Sequence, residues 1–527
     1  WMWPIFNQVF LMVYLSAWVR RSEVITGAEW IKTRFGHDRG AKLSDISVVV
    51  LAIVSTVGFL AYAFQGVAKF SQIFLPWDFS INTYGIIIMS VAAIYTIAGG
   101  MLGVLVTDVV QFLILTIASI FIGYIAFTHT TPEAIMAVVP EGWLSLKFGW
   151  THLNLDWSNL IPAINTKISK DGFSLAGIVF MMMLFKGVLV SGAGPQPNYD
   201  MQRILATRNP REASLMSWFV SVVLFLPRYL LVGGICVLGL VYFGPQLNAM
   251  GAELDFEQIL PYVIHNFVPV GLVGLILAGL ISAFMSTYDG TVNCGASYIT
   301  NDIYKRYINK DKDASDKKLV LMSYISSFSI IVLGMVFGML GKSIHQITMF
   351  IVSGLWVGYT PPNIMKWHWW RFNGYGYFWG MASGLVAALL FPLLFGTPDV
   401  LFGIQFNLAV FPFVLVVSTA ASIIGTLMTE PEKDEILMDF YKKVRPWGLW
   451  KPIYEKVKKE DPDFEHNKNF SRDAVNVAVG IIWQINLILI PLYLMFRQFT
   501  GMWTSIVILA VTSVFLKFNW YNKLEKA

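Results

Sequence analysis

The chain has 527 residues, 56% of them hydrophobic and only 13% charged, with a net charge of +5. A soluble domain carries roughly a quarter charged residues, so this composition excludes a soluble globular protein and points to a polytopic membrane protein. The small positive charge sits mostly in loops and gives no reason to expect a nucleic-acid partner.

Chemistry-bearing motifs are sparse. The two cysteines, Cys236 and Cys294, both fall inside apolar runs, which leaves no disulfide framework. The seven histidines form no HxxxH or HExxH pair. There is no phosphate loop, nucleophile elbow or zinc motif, so an enzyme is not expected and no cofactor is implied.

In chain order, the sequence opens Trp-Met-Trp-Pro without an initiator Met and with neither an n-region nor a cleavage site. We read it as a fragment whose N-terminal part is missing, not as one starting with a signal peptide. About 13 apolar runs are long enough to cross a bilayer. They cover 3–19, 45–71, 84–98, 103–127, 174–197, 214–242, 268–299, 319–340, 345–364, 374–396, 404–428, 473–496 and 500–519. Lys and Arg concentrate in alternate loops: Arg20 to Lys42, Arg203 to Arg211, Lys305 to Lys318, and 429–472. The positive-inside rule places these loops and the C-terminal tail, with Lys523 and Lys526, in the cytoplasm of a multi-pass plasma (inner) membrane protein. The outer loop 128–173 carries Trp143, Trp150 and Trp157, which could sit at the interface or cap an entrance. Loop 243–267 predicts a short amphipathic helix near Phe256–Ile264. In 429–472 the charge pattern of Asp434–Lys443 predicts a solvated helix on the membrane surface, with a regulatory module as the alternative.

Three places interrupt the apolar pattern. Asp108 follows Gly99-Gly100, read as the inner turn between two spans, and so lies about 12 Å into the rising helix. A carboxylate at that depth marks a functional site, or else a first-turn acid favoured by the helix dipole. Residues 186–197, Lys-Gly-Val-Leu-Val-Ser-Gly-Ala-Gly-Pro-Gln-Pro, cannot form a regular helix. They predict either a broken helix at membrane depth or a helix end followed by a cytoplasmic turn. Lys186 could snorkel, pair with Asp108 or Asp289, or anchor an anionic solute. The third place is 268–299, where Ser286, Thr287, Asp289, Thr291 and Asn293 follow an apolar half. Ala283, Ser286 and Asp289 share one helical face. Oxygens on one buried face suit a hard cation such as Na⁺, while helix–helix hydrogen bonding is the competing reading.

These residues resemble the sodium:solute symporter family. Tyr95-Thr-x-x-Gly-Gly with Thr107-Asp108-x-x-Gln111 is similar to its inner-turn signature, and Gln202-Arg203-x-Leu-Ala-Thr to the run that follows its broken helix. Ala283-x-x-Ser286-Thr287 with Asp302-Ile-Tyr-Lys305 is similar to its sodium-site helix. The resemblance implies an all-α, inverted-repeat core of five plus five helices with alternating access. By span order residue 1 falls at the second core helix, so the first core helix is expected to be absent. It implies a division into a transporter core (1–364, core spans two to ten), additional spans (365–428), a cytoplasmic basic loop (429–472) and C-terminal spans with the tail (473–527).

The resemblance also implies site roles. Ala283 would offer a carbonyl to Na⁺, and Ser286 and Thr287 their hydroxyls. Asp108 would line the sodium exit path or a second cation site, which it could share with Asp289, an acid that departs from the hydroxyls of relatives. In sugar-transporting relatives Asn and paired aromatics precede Gln-Arg; here Val190-Ser191-Gly192-Ala193-Gly194 stands instead. The substrate candidates are therefore Lys186, Ser191, Gly192 and Gly194. The expected function is a sodium-coupled symporter of a small organic solute, a sugar or polyol preferred. Its partners would be that solute, Na⁺ as coupling ion and the lipid bilayer. Proton coupling to a carboxylated solute or amino acid, and a transporter-like sensor, are the alternatives. The oligomeric state is not specified by the sequence.

Overall fold

The structure, a computed structural model, describes residues 6–24, 26–144, 155–170, 184, 187–195, 199–251, 254, 256–308, 316–341, 356–396, 400–401 and 404–525. Among the described residues the protein is helical, apart from a two-residue antiparallel pair, Val400–Leu401 with Ile404–Gln405. Among the described residues ten helical stretches are long and apolar enough to cross a membrane, two of them, Ile81–Gly99 and Gly103–His129, within one continuous helical element. The three remaining predicted spans, 3–19, 174–197 and 345–364, each fall partly on residues outside the described set.

A helical entry, Asn7–Phe10 (α1) and Ser16–Arg20 (α2), is joined through a π-helical turn at Leu11–Leu15. Then come α3 (Gly27–Phe35), α4 (Arg39–Phe74), α5 (Ile81–His129) and the short α6 (Pro132–Ala137) and α7 (Pro162–Lys170). They are followed by α8 (Tyr199–Leu205), α9 (Pro210–Met250), α10 (Ile259–Phe267), α11 (Val270–Ser297) and α12 (Asp316–Leu340). The last third holds α13 (Val357–His368), α14 (Gly374–Phe395), α15 (Phe406–Leu427), α16 (Asp434–Val444), α17 (Lys451–Glu460), α18 (Phe470–Met495) and α19 (Phe499–Asn519).

Starts are set by side-chain caps that accept otherwise orphaned backbone N–H groups. Asp38 accepts from Ala41 N at 2.7 Å, Asn209 from Glu212 N at 2.8 Å and Asn373 from Gly376 N at 3.0 Å. Pro210 sits at the first position of α9, where its missing N–H costs nothing. The predicted amphipathic helix at Phe256–Ile264 is present as α10, preceded by one 3₁₀ turn.

Helical hydrogen bonding in α5 runs through all 49 residues. Drawn straight, it would measure roughly 73 Å, more than twice the ~30 Å hydrocarbon core. It is not straight. The side chains of Tyr95 and Gln111 meet, although sixteen residues of straight helix would hold them about 24 Å apart. Both arms also reach α11, through Thr96 at Asp289 and through Ala118 at Gly279. The chain therefore bends sharply near 99–103, at the place where the Gly99-Gly100 turn is expected, so that the element acts as two arms. Neither Gly99 nor Gly103 has an atom within 4 Å of where a Cβ would sit.

The region 429–472 departs from its sequence reading. Its helices α16 and α17 are not a solvated helix on the membrane surface but are docked into the helical body. Leu437, Phe440, Val444, Ile453 and Val457 are each fully buried. Phe440 stands edge-on to Trp30 of α3, with ring centres 5.7 Å apart. Trp450 Nε1 donates to the Trp367 carbonyl at 2.8 Å. The reason is amphipathicity: both helices present one apolar stripe, and α3 with the end of α13 offers a matching aromatic surface.

Candidate functional site: a buried carboxylate between two arms of one helix

The site forms where both arms of α5 pack against α11. Asp289 is fully buried. Thr96 Oγ1 donates to its Oδ1 at 2.6 Å, and the Tyr95 hydroxyl donates to Oδ2. Among the described residues no Lys or Arg pairs with it. Asp108, on the second arm, is close enough for its charge to act on Asp289. Asp108 is itself paired: Arg203 of α8 donates to its Oδ2 at 2.6 Å. Two buried acceptors nearby, Asp108 Oδ1 and Gln111 Oε1, have no hydrogen-bond partner.

Burying a carboxylate is costly unless a cation or several donors compensate it. Two hydroxyl donors satisfy the geometry of Asp289 but not its charge. With Asp108 near, Arg203 balances one of the two negative charges. A monovalent cation or a proton would balance the other.

The predicted sodium ligands lie one turn earlier on α11. Thr287 Oγ1 donates to the Ala283 carbonyl at 3.3 Å, which places two of the three expected ligand oxygens side by side. Ala283, Ser286 and Thr287 are all half-buried. Beyond them Thr291 Oγ1 donates to the Thr287 carbonyl at 2.6 Å and Asn293 Nδ2 to the Asp289 carbonyl at 3.1 Å. The polar residues at 291 and 293 are thus spent on their own helix.

The Gly/Pro run is seen from 187 to 195, whereas Lys186 lies outside the described residues. Helical structure stops at Gly192, and Gly194 takes a φ of +90°, which a glycine adopts without strain. A Cβ at Gly194 would stand 3.1 Å from Trp367 Nε1, so the side chain of α13 fills that space. Trp367 Nε1 donates to the Ala193 carbonyl at 3.1 Å and the Tyr359 hydroxyl to the Pro195 carbonyl at 2.9 Å. Those freed carbonyls are thereby engaged from within the protein. Ser191 is buried, and a Cβ at Gly192 would stand 3.7 Å from the Phe10 ring of α1.

Sequence reasoning singled out Asp289 and Asp108 but assigned no chemistry to Tyr95, Thr96, Gln111 or Arg203. All four belong to the signatures quoted above, so the signal was present. The turn at Gly99-Gly100 was read from the sequence; what the sequence did not supply was the meeting of the Tyr95 and Gln111 side chains across it.

Comparison with known proteins agrees with this architecture. The chain is 26% identical over 413 residues to sodium/glucose cotransporter 4 of Danio rerio, covering 74% of this chain and 60% of that protein. It is 26% identical over 453 residues to a sodium/mannose cotransporter of Bos taurus, covering 80% and 72%. The chain thus spans about 60% of the first relative's length. A substrate-bound, outward-open Na⁺-coupled sialic acid symporter shares the fold with a TM-score of 0.52 at 18% identity, over 81% of this chain and 84% of that one. The model of the Sodium:solute symporter family matches residues 2–384, and on that match, with the helical fold behind it, the chain belongs to this family.

Proposed function

We propose that this protein is a sodium-coupled secondary symporter that moves a small organic solute across the membrane by alternating access. The observation that carries the cation coupling is Asp289, a fully buried carboxylate at membrane depth whose described partners are hydroxyls. Intramembrane carboxylates of this kind lie on ion or proton pathways.

In this reading Na⁺ binds on α11 to the Ala283 carbonyl and to the Ser286 and Thr287 hydroxyls. Thr287 already holds its oxygen beside that carbonyl, so a cation needs only the hydroxyl hydrogen to rotate away. A second cation is held by Asp289 and Asp108, with Gln111 Oε1 as a further oxygen. The Arg203–Asp108 pair then acts as its gate, because losing either cation or guanidinium leaves a carboxylate exposed to the other. The solute lies against Ser191 and Gly192, with Lys186 as the residue that would recognise an acidic group. A sugar or polyol is the preferred solute class, supported by the names of the glucose and mannose cotransporters among the relatives.

The test is uptake into proteoliposomes with the Ser286→Ala, Thr287→Ala double variant. The apparent Na⁺ affinity is expected to fall at least about tenfold, since two ligand oxygens disappear. Unchanged Na⁺ affinity would overturn the assignment of that site. Proton coupling is the second reading, favoured by the same Asp289. It predicts that Asp289→Asn with Asp108→Asn abolishes accumulation while the double Ala variant is mild.

A further inference from the structure

A polar cavity of about 90 Å³ lies where the ends of α2, α9 and α18 and the segment after α19 converge. A single water needs only about 10–15 Å³ on this measure, so the space accepts something larger. Four cationic side chains line it, one from each converging element: Arg21, Arg211, Arg472 and Lys523. Two carboxylates also line it, Asp473 and Glu525. Arg472 lies 3.3 Å from Asp473, and Glu525 is paired with Arg21. The cavity therefore keeps a surplus of two positive charges.

Ser214 supplies an independent observation. It lines the same cavity, is fully buried, and its Oγ has no hydrogen-bond partner. Its neighbour one turn on, Ser217, donates back to the Ala213 carbonyl, as helical serines commonly do. Ser214 does not, and its hydroxyl is left unpaired in the wall of the cavity. The Glu525 carboxylate on Arg21, and its backbone oxygen 3.5 Å from Arg211 Nη1, show that the cavity already receives an oxyanion from its own chain. Glu525 is half-exposed and could be displaced.

We propose that this cavity binds a phosphate group, either the headgroup of an anionic phospholipid or a soluble phosphoester, in competition with the Glu525 carboxylate. Arg21, released by Glu525, joins Arg211 and Arg472 in holding the phosphate oxygens, Lys523 adds a point charge, and the unpaired Ser214 hydroxyl is the donor the cavity wall can turn to them. The cavity lies on the Lys/Arg-rich side, where basic pockets between helix ends meet lipid headgroups.

Two arms separate the sources, both using the intact protein, delipidated and placed in phosphatidylcholine nanodiscs. One titrates inorganic phosphate against chloride at matched ionic strength. The other replaces part of the phosphatidylcholine with phosphatidylglycerol, without phosphate. Melting temperature is the readout. It is expected to rise in at least one arm, with the half-saturating concentration raised about tenfold or more by Arg211→Gln with Arg472→Gln and lowered about fivefold by Glu525→Gln. A rise with the lipid alone names a headgroup as the source; a rise with phosphate alone names a soluble phosphoester; a rise in both supports one phosphate site open to either. No rise in either arm overturns the proposal, as does a rise that the variants leave unchanged. If the double Arg variant fails to fold, Glu525→Gln and Ser214→Ala carry the test, because a purely structural cavity would show the same phosphate response with either.

Discussion

Asp289 illustrates how much one side chain can say. Its position among apolar residues is visible in the sequence, and so is the unfavourable energy of putting it there. Its partners are not, because Tyr95 lies 194 positions earlier in the chain. Hydrogen bonds to a charged group each contribute roughly 1.5–3 kcal/mol, and an acceptor left short of a donor costs a similar amount. Tyr95→Phe is therefore expected to lower stability by about 1–3 kcal/mol without loss of the fold, read as a lower melting temperature in detergent. If Asp289 holds a cation, Na⁺ will recover more of that loss than K⁺ does, because a bound cation supplies the compensation the hydroxyl gave. Equal recovery by both ions would place the cation elsewhere.

Among elements too short to cross a bilayer, α10 and α16 were legible from their charge and apolar pattern, whereas α3 was passed over by a search for apolar runs. Yet α3 carries its own start signal: Thr26 and Glu29 stand in capping-box spacing, and Thr26 Oγ1 accepts from Glu29 N at 3.1 Å. From α3, the fully buried Arg34 reaches the end of α13. It donates to the carbonyls of Lys366 at 2.9 Å, Trp369 at 3.0 Å and Phe372 at 2.9 Å. These are acceptors that a helix end and the turn after it leave unpaired. No pattern in either segment announces this pairing, because it joins residues more than 330 positions apart. Lysine cannot reproduce a planar fork with several donors, so Arg34→Lys is expected to cost about 2–4 kcal/mol and to loosen α16 and α17. Faster amide exchange confined to α3, α13, α16 and α17 would be the signature. A second handle is Glu432, outside the spans, which accepts from Gly374 N at 2.9 Å. Burial pushes its carboxyl up to about 7, with Asp38 adding to the rise and Arg34 and Arg371 opposing it. A raised carboxyl favours the protonated, docked form. Its contribution is full below the ordinary value of about 4.5 and is lost as pH climbs through about 7. Docking of α16 and α17 should therefore weaken between those values, and Glu432→Gln should flatten the dependence while keeping an acceptor for Gly374. A pH profile that Glu432→Gln leaves unchanged would assign the titration to another group.

At the scale of the molecule, the apolar spans and their alternating basic loops were legible because the bilayer imposes length and charge rules on any chain that crosses it. The crossing of α13 and α14 was not. There Gly358 and Gly384 bring two backbones so close that a Cβ on Gly358 would meet the Gly384 backbone at 2.9 Å. Such contacts hold packed helices in discrete arrangements rather than a continuum, and alternating access needs discrete arrangements. The energetic consequence of coupling can be stated in advance. One Na⁺ entering down a tenfold gradient supplies about 1.4 kcal/mol, and 100 mV inside-negative adds about 2.3 kcal/mol for its charge. Together they permit roughly 500-fold accumulation of a neutral solute at one Na⁺ per solute. If Asp289 and Asp108 hold a second Na⁺, the ceiling is the square of that, and the transported charge doubles. In proteoliposomes, following how the reversal potential moves with the solute gradient at a fixed Na⁺ gradient separates the two cases without needing the rate: a tenfold solute gradient shifts it by about 59 mV at one charge per solute and about 30 mV at two. A reversal potential that shifts with the solute gradient by the two-ion slope in the native protein, and by the steeper one-ion slope in Asp289→Asn, would assign the second ion to this carboxylate. A one-ion slope in both would leave Asp289 a structural acceptor for Tyr95 and Thr96. A slope that follows pH and ignores Na⁺ would transfer the coupling to protons.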